Sequence, residues 1–144
     1  MTMGYETRLG QLVRLNASLA LAYQKPVFAD DYVLCGLLDQ FSRAFDSACA
    51  TMRCVLADGW GVDDFPEGTT RELLSRALYN GLIEDEKSWL SMLRLRSELP
   101  QIHVAALDNP SVSAAAARDI LERYIPALAA FERDMREVVA GLPK

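Results

Sequence analysis

Histidine is nearly absent from this chain: His103 is the only one in 144 residues. A single imidazole excludes multi-histidine metal centres. No HExxH zinc motif, glycine-rich phosphate loop or Ser/His/Asp signature appears either, so neither a metal nor a cofactor is expected. Cysteine is scarce and odd in number, at Cys35, Cys49 and Cys54, with no CxxC pair. That argues against a disulfide framework and a zinc site alike. All three fall in one apolar helical segment and read as reduced core residues. No apolar run reaches the ~20 residues needed to span a bilayer, and the N-terminus lacks the apolar stretch of a signal peptide. The expectation is a cytoplasmic protein with no membrane partner. A basic surface is missing too. The formal net charge is -5, which excludes a bulk nucleic-acid binder. Period-2 alternation, the mark of a half-buried strand, is found nowhere.

What remains is helical periodicity. Tyr5, Leu9, Leu12, Leu19 and Tyr23 set an apolar face on a helix over 5–23. Lys25-Pro26 ends it, because a residue before proline avoids the α region. Asp30 and Asp31 suit a new start, by capping and by opposing the helix dipole. A long helix over 31–57 follows, with Leu34, Leu38, Phe41, Phe45, Ala48, Met52 and Val55 in a continuous four-three rhythm, as in a bundle seam. The stretch 57–68, rich in glycine and aspartate, is a loop. Trp60 and Phe65 within it are expected to fold back onto the core. Thr70 caps a short third helix with Leu73, Leu74, Ala77 and Leu78 inward, and Gly81 supplies the left-handed stop. A fourth helix over 84–99 has an acidic first turn, a basic last turn and Trp89 and Leu93 as inward partners; Pro100 is expected to disrupt it. Asn109-Pro110-Ser111 opens the last helix, whose seam runs Ala117, Leu121, Tyr124, Leu128, Phe131, Met135 and Val138. Pro126 within it predicts a kink rather than a break. The fold expected is a single all-α domain over 1–144, an up-down bundle of four to five helices.

Charge is unevenly placed. Residues 31–70 carry seven carboxylates, Asp31, Asp39, Asp46, Asp58, Asp63, Asp64 and Glu67, against Arg43 and Arg53, whereas 71–103 are balanced. Most of the chemistry worth weighing lies in that second region. Arg96 and His103 flank "SELPQI" at the expected helix end. An imidazole moves protons near neutral pH and a guanidinium clamps phosphate, so the pair has the parts for cleaving RNA through the ribose 2′-hydroxyl. On spacing alone, a surface arginine and a loop histidine is the simpler account. Asp46, one residue past the seam residue Phe45, either faces a groove or pairs with an arginine such as Arg43. Arg94 with Arg96 makes either a phosphate contact or a solvated helix end.

From Phe41 onward the chain resembles the nucleotidyltransferase substrate-binding proteins of the HEPN superfamily, helical bundles typically encoded beside a minimal nucleotidyltransferase. The helix layout matches over about residues 5–140. Phe41, Phe45, Asp46, Cys49 and Gly59 follow the family's long-helix pattern. Thr70, Arg71, Ala77, Gly81, Leu82, Ile83, Glu86, Trp89, Met92, Leu93 and Arg96 follow its order without a gap. Cys49-Ala50 stands where the family often has tryptophan-lysine, and Ser97 where it usually has asparagine. Six residues separate Arg96 from His103, the long end of the superfamily's accepted spacing, and Val104-Ala105 replaces a segment that carries a tyrosine in related toxin–antitoxin pairs.

The resemblance implies a HEPN-like bundle and a homodimer in which two arginine–histidine motifs share one cleft. It implies a substrate-binding or partner subunit of a two-component minimal nucleotidyltransferase, more a non-catalytic subunit than an enzyme. Arg96 and His103 are its candidate catalytic residues, Asp46, Arg71 and Arg94 its candidate substrate-binding residues, and nucleotide or RNA its candidate ligands. Two alternatives stay open: a metal-independent ribonuclease toxin held in check by that partner, and an inactive scaffold bundle.

Overall fold

The computed structural model describes residues 4–62 and 68–143, and among these it contains helices and no strand. Helix α1 spans Gly4–Ala20 and tightens into a 3₁₀ turn at Leu21–Gln24. Lys25 is extended (φ -113°, ψ 152°), as a residue before proline should be. Helix α2, Asp31–Cys54, starts on Asp30, whose carboxylate accepts from the Tyr32 and Val33 N–H groups at 2.9 and 3.3 Å. It widens into a π turn at Val55–Gly59. Helix α3 covers Thr70–Tyr79, α4 Glu86–Ala105, α5 Ser111–Asp119 and α6 Ile125–Ala140, with a second π turn, Ile120–Tyr124, joining the last two.

Helix α2 is the central element and touches each of the other five helices. All seven residues of its expected seam are buried, together with Leu37, Ala44 and Cys49. A chain of rings crosses the core through it. Tyr124 stacks on Phe41 at 5.5 Å between centroids, Phe41 meets Phe45 at 6.1 Å, Phe45 meets Trp89 at 6.1 Å, and Trp89 sets its edge against Phe131 at 5.0 Å. Helix α1 packs along α2 and also against α6. The buried Asn16 amide on α1 donates to the Leu128 carbonyl at 3.2 Å and to Glu132 at 3.1 Å, which fixes α1 against α6.

Several sequence expectations are corrected. The cap of α3 is Thr69, not Thr70: its hydroxyl accepts from the Glu72 N–H at 3.2 Å. Pro100 does not end the fourth helix, which runs six residues past 99, to Ala105. A proline inside a helix forfeits a single backbone bond, to the carbonyl four residues back. Buried Leu99 and half-buried Ile102 on either side of Pro100 pack against the core and hold the helix through that gap. Cys35 is exposed rather than core; Cys49 is buried and Cys54 half-buried, and all three thiols are free. Trp60 stays partly exposed, and Phe65 lies outside the described residues.

Other local signals hold. Gly81 has φ +77°. The Leu82 N–H reaches the Ala77 carbonyl at 2.8 Å and the Gly81 N–H the Leu78 carbonyl at 3.1 Å, the paired bonds of a Schellman stop. At Pro126 the helix deviates without breaking. The Ile125 N–H bonds five residues back to Ile120, which opens the turn in front of the proline ring. The Leu121 carbonyl would next look to residue 126, which has no N–H; the Tyr23 hydroxyl donates to it instead, at 2.5 Å. Inside the widened turn Ile120, not Leu121, is fully buried, and near the end Val139 is more buried than Val138.

Two measurements test this packing. Phe45→Ala removes a fully buried ring between Phe41 and Trp89, and should cost about 3–5 kcal/mol in urea unfolding. Burial pushes the Cys49 thiol up to about 12 and, with help from Asp58, the Cys54 thiol up to about 11, from 9.0. Folding therefore favours the protonated thiols. The stability this gives is complete below pH 9 and lost as pH rises towards 12, because only the unfolded thiols ionise in that window. At pH 8 one thiol, Cys35, should react with an alkylating probe in the native chain and all three after unfolding. Cys49→Ala should flatten the fall of the melting midpoint above pH 9.

Candidate functional site

Helix α4 carries two faces. Trp89, Met92, Leu95 and Leu99 point into the core. A second stripe, Lys87, Leu90, Ser91, Arg94, Ser97 and Glu98, repeats at helical spacing on another side. With Thr69, Thr70 and Arg71 at the start of α3, this stripe lines a groove of about 690 Å³. The groove holds three cations, Arg71, Lys87 and Arg94, against one carboxylate, Glu98. None of the three cations is in an ion pair among the described residues. Tyr124, buried beside the groove, has its phenol pushed up by burial, with Asp119 adding to the shift; Arg123, Ser91 and Arg94 pull it back.

Arg96 lies between the two faces. Its Nε and Nη2 donate to the two carboxylate oxygens of Asp46, each at 3.1 Å, in a fork that ties α4 to α2. The pair is partly solvated, with side chains 39% and 55% exposed. Asp46 holds the guanidinium still more firmly protonated. Arg43 takes no part in this pair; it binds Asp39 at 2.9 Å, one turn back on α2. Asp46 also borders a shallow hollow of about 450 Å³ with Arg8, Gln11 and Arg14 of α1 and Ser47 of α2, whose buried hydroxyl has no hydrogen-bond partner among the described residues.

His103 is exposed on the last turns of α4 and has no hydrogen bond or ion pair among the described residues. The unbroken helix decides its relation to Arg96. Seven residues are two turns, so the two share a face about 10.5 Å apart along the axis. They are not folded together by a loop.

The structure thus brings together Arg71 with Arg94, and Asp46 with Arg96. It does not bring Asp46 into the groove, and within this one chain His103 stands alone. Sequence reasoning missed Lys87, Ser91, Ser97 and Glu98. Their spacing of four, six and one was visible in the helix, but reading α4 for its Trp89 face hid the opposite stripe. Among the described residues no three His, Cys, Asp or Glu side chains sit together to hold a metal ion, and no helix is long and apolar enough to cross a membrane.

With this geometry in hand, comparison with known families is decisive. The sequence matches the family described as "Nucleotidyltransferase substrate binding protein like" over residues 7–137, all but the first six and last seven. The chain belongs to this family. No curated protein sequence matches it. The family match covers α2 to α5 in full and most of α1 and α6, so the α3–α4 groove and the Asp46–Arg96 fork both lie within it.

Because the fork is partly solvated, its net worth is that of a surface pair with good geometry. A double-mutant cycle of Asp46→Ala and Arg96→Ala in urea unfolding should give a coupling of about 0.3–1 kcal/mol. A value above ~2 kcal/mol would mean the pair is far more shielded than its exposure indicates.

Proposed function

We propose that this chain is the substrate-binding, partner subunit of a two-component minimal nucleotidyltransferase, that it works as a cytoplasmic helical homodimer of the HEPN type, and that it leaves the transfer chemistry to the partner. The family match over residues 7–137 carries this reading. The site chemistry agrees with it. Cationic and hydroxyl side chains line an open groove, which suits holding a substrate. The residues with catalytic potential are poorly arranged within one chain: Arg96 is engaged by Asp46, and His103 faces solvent without a group to orient it.

The dimer part of the proposal draws on the surroundings of His103. Val104 and Leu107 beside it are strongly exposed apolar side chains, the kind a two-fold contact there would bury. Such a contact would also set two histidines side by side, which the ribonuclease alternative requires.

The test is co-expression with a minimal nucleotidyltransferase from the same genome. The two should co-purify, and light scattering should give this chain alone a mass twice its 16.0 kDa. Val104→Glu should shift it towards monomer. Expressed alone, wild type and His103→Ala should leave cellular RNA equally intact. RNA cleavage that disappears in His103→Ala would overturn the non-catalytic reading in favour of the toxin.

A further inference from the structure

At the corner where α1 turns into α2 there is a separate pocket of about 200 Å³. It shares no lining residue with the α3–α4 groove or with the Asp46 hollow, and nothing in the subunit reading uses it. Its walls are apolar. Leu19 and Leu21 line it from the end of α1, Val33 and Leu37 from the start of α2.

Gly36 is what leaves it open. This residue lies in regular helix, in the second turn of α2. A glycine there weakens a helix relative to alanine. Packing does not ask for it, because a Cβ built at Gly36 would meet nothing within 4 Å. The missing side chain leaves space in the pocket wall, where most helical residues would fill it.

Two polar groups give the pocket a chemistry. Gln40, one turn beyond Gly36, lines it, and the Gln40 Oε1 is buried without a hydrogen-bond partner. An orphaned acceptor is costly. A water seated against apolar walls does not relieve it well, since a buried water wants two to four polar partners. The terminal amide turns easily about its last side-chain bond, so a ligand hydroxyl, which both donates and accepts, suits either of its faces. Lys25 lines the pocket from the turn ahead of α2, exposed and in no ion pair among the described residues. Gln40 stands about 13.5 Å along the axis of α2 from its first residue. The cation and the amide therefore bracket the apolar stretch. The ligand selected is short, with an anion at one end, a hydroxyl at the other and an apolar middle. At about 200 Å³ the space lies below the roughly 300–1,000 Å³ of drug-sized sites, which limits that middle to a single ring.

We propose that the α1–α2 pocket binds a small phenolic carboxylate, its ring between Leu19, Val33 and Leu37, its hydroxyl on the Gln40 amide and its carboxylate on Lys25. The ligand is bound and not transformed, for no nucleophile or general base lines the pocket. Glycine at position 36 is then a specificity device, and the orphaned Gln40 carbonyl is an acceptor kept for the ligand.

The experiment is calorimetric titration of the full chain with 4-hydroxyphenylacetate, phenylacetate and tyramine. 4-Hydroxyphenylacetate should bind. Phenylacetate, which lacks the hydroxyl, should bind at least fivefold more weakly, and tyramine, which sets an ammonium against Lys25, at least tenfold more weakly. Gly36→Leu should abolish binding by filling the space, with a melting midpoint at or above wild type because leucine is the better helix former. Gln40→Leu removes the orphan without opening a cavity, and should bring 4-hydroxyphenylacetate and phenylacetate to equal affinity. Lys25→Gln should erase the preference over tyramine. Lys87→Gln, in the α3–α4 groove, should change nothing. No binding of 4-hydroxyphenylacetate at millimolar concentration, undiminished binding in Gly36→Leu, or a hydroxyl preference that survives in Gln40→Leu would each overturn the proposal.

Discussion

The row of rings from Tyr124 through Phe41, Phe45 and Trp89 to Phe131 is what the rest of this bundle is built around. It joins three separate stretches of chain across one helix, and two of its members, Phe41 and Phe45, sit one turn apart on α2. Large rings bury more area per residue than any other side chains and prefer a narrow set of offset and edge-on geometries. Once they are seated, the rotation of α4 and α6 about their own axes is set. Trp89 inward on α4 turns Lys87, Ser91, Arg94 and Glu98 away from the core. The polar groove is therefore the reverse side of an aromatic contact.

The same constraint accounts for Arg96. It follows buried Leu95 and stands four residues after Met92, at the margin of the apolar face, where its aliphatic stem is half covered and its guanidinium reaches the surface of α2. Asp46 occupies the equivalent margin of α2, one residue beyond buried Phe45. Two margins that meet when rings interlock bring a cation and a carboxylate together with the geometry of a fork. The pair thus registers how α2 and α4 are docked, and its energetic contribution is secondary to that.

Much of this was legible before any coordinates. The seam of α2 could be read residue by residue because a four-three rhythm over 20 residues has few alternatives. Asp30 and Gly81 act locally, through their own backbone neighbours, and a local rule reads directly from sequence. Pro100 and Cys35 did not read correctly, since their outcome depends on packing at a distance. A proline breaks a helix only when nothing else holds the helix, and Leu99 and Ile102 hold this one. Asp46 was recognised as a residue beside the seam, but its partner is fifty positions away, and nothing in one sequence separates Arg43 at three residues from Arg96 at fifty. The groove stripe was present in the spacing of α4 all along. It was overlooked because helices are customarily read for the face they bury.

The π turn at Ile120–Tyr124 has a further bearing on how such a chain can change. Adding one residue to a regular helix turns everything beyond it by about 100°, enough to swing Leu128, Phe131 and Met135 out of the core. A widened turn absorbs the surplus within five residues and returns the downstream face to its original bearing. Here the proline that follows and the Tyr23 hydroxyl that covers the stranded carbonyl hold the surplus in place. The last helix thus carries the form of an insertion taken up without loss of phase, in a segment where length can vary while the ring contact at Phe131 stays where it is.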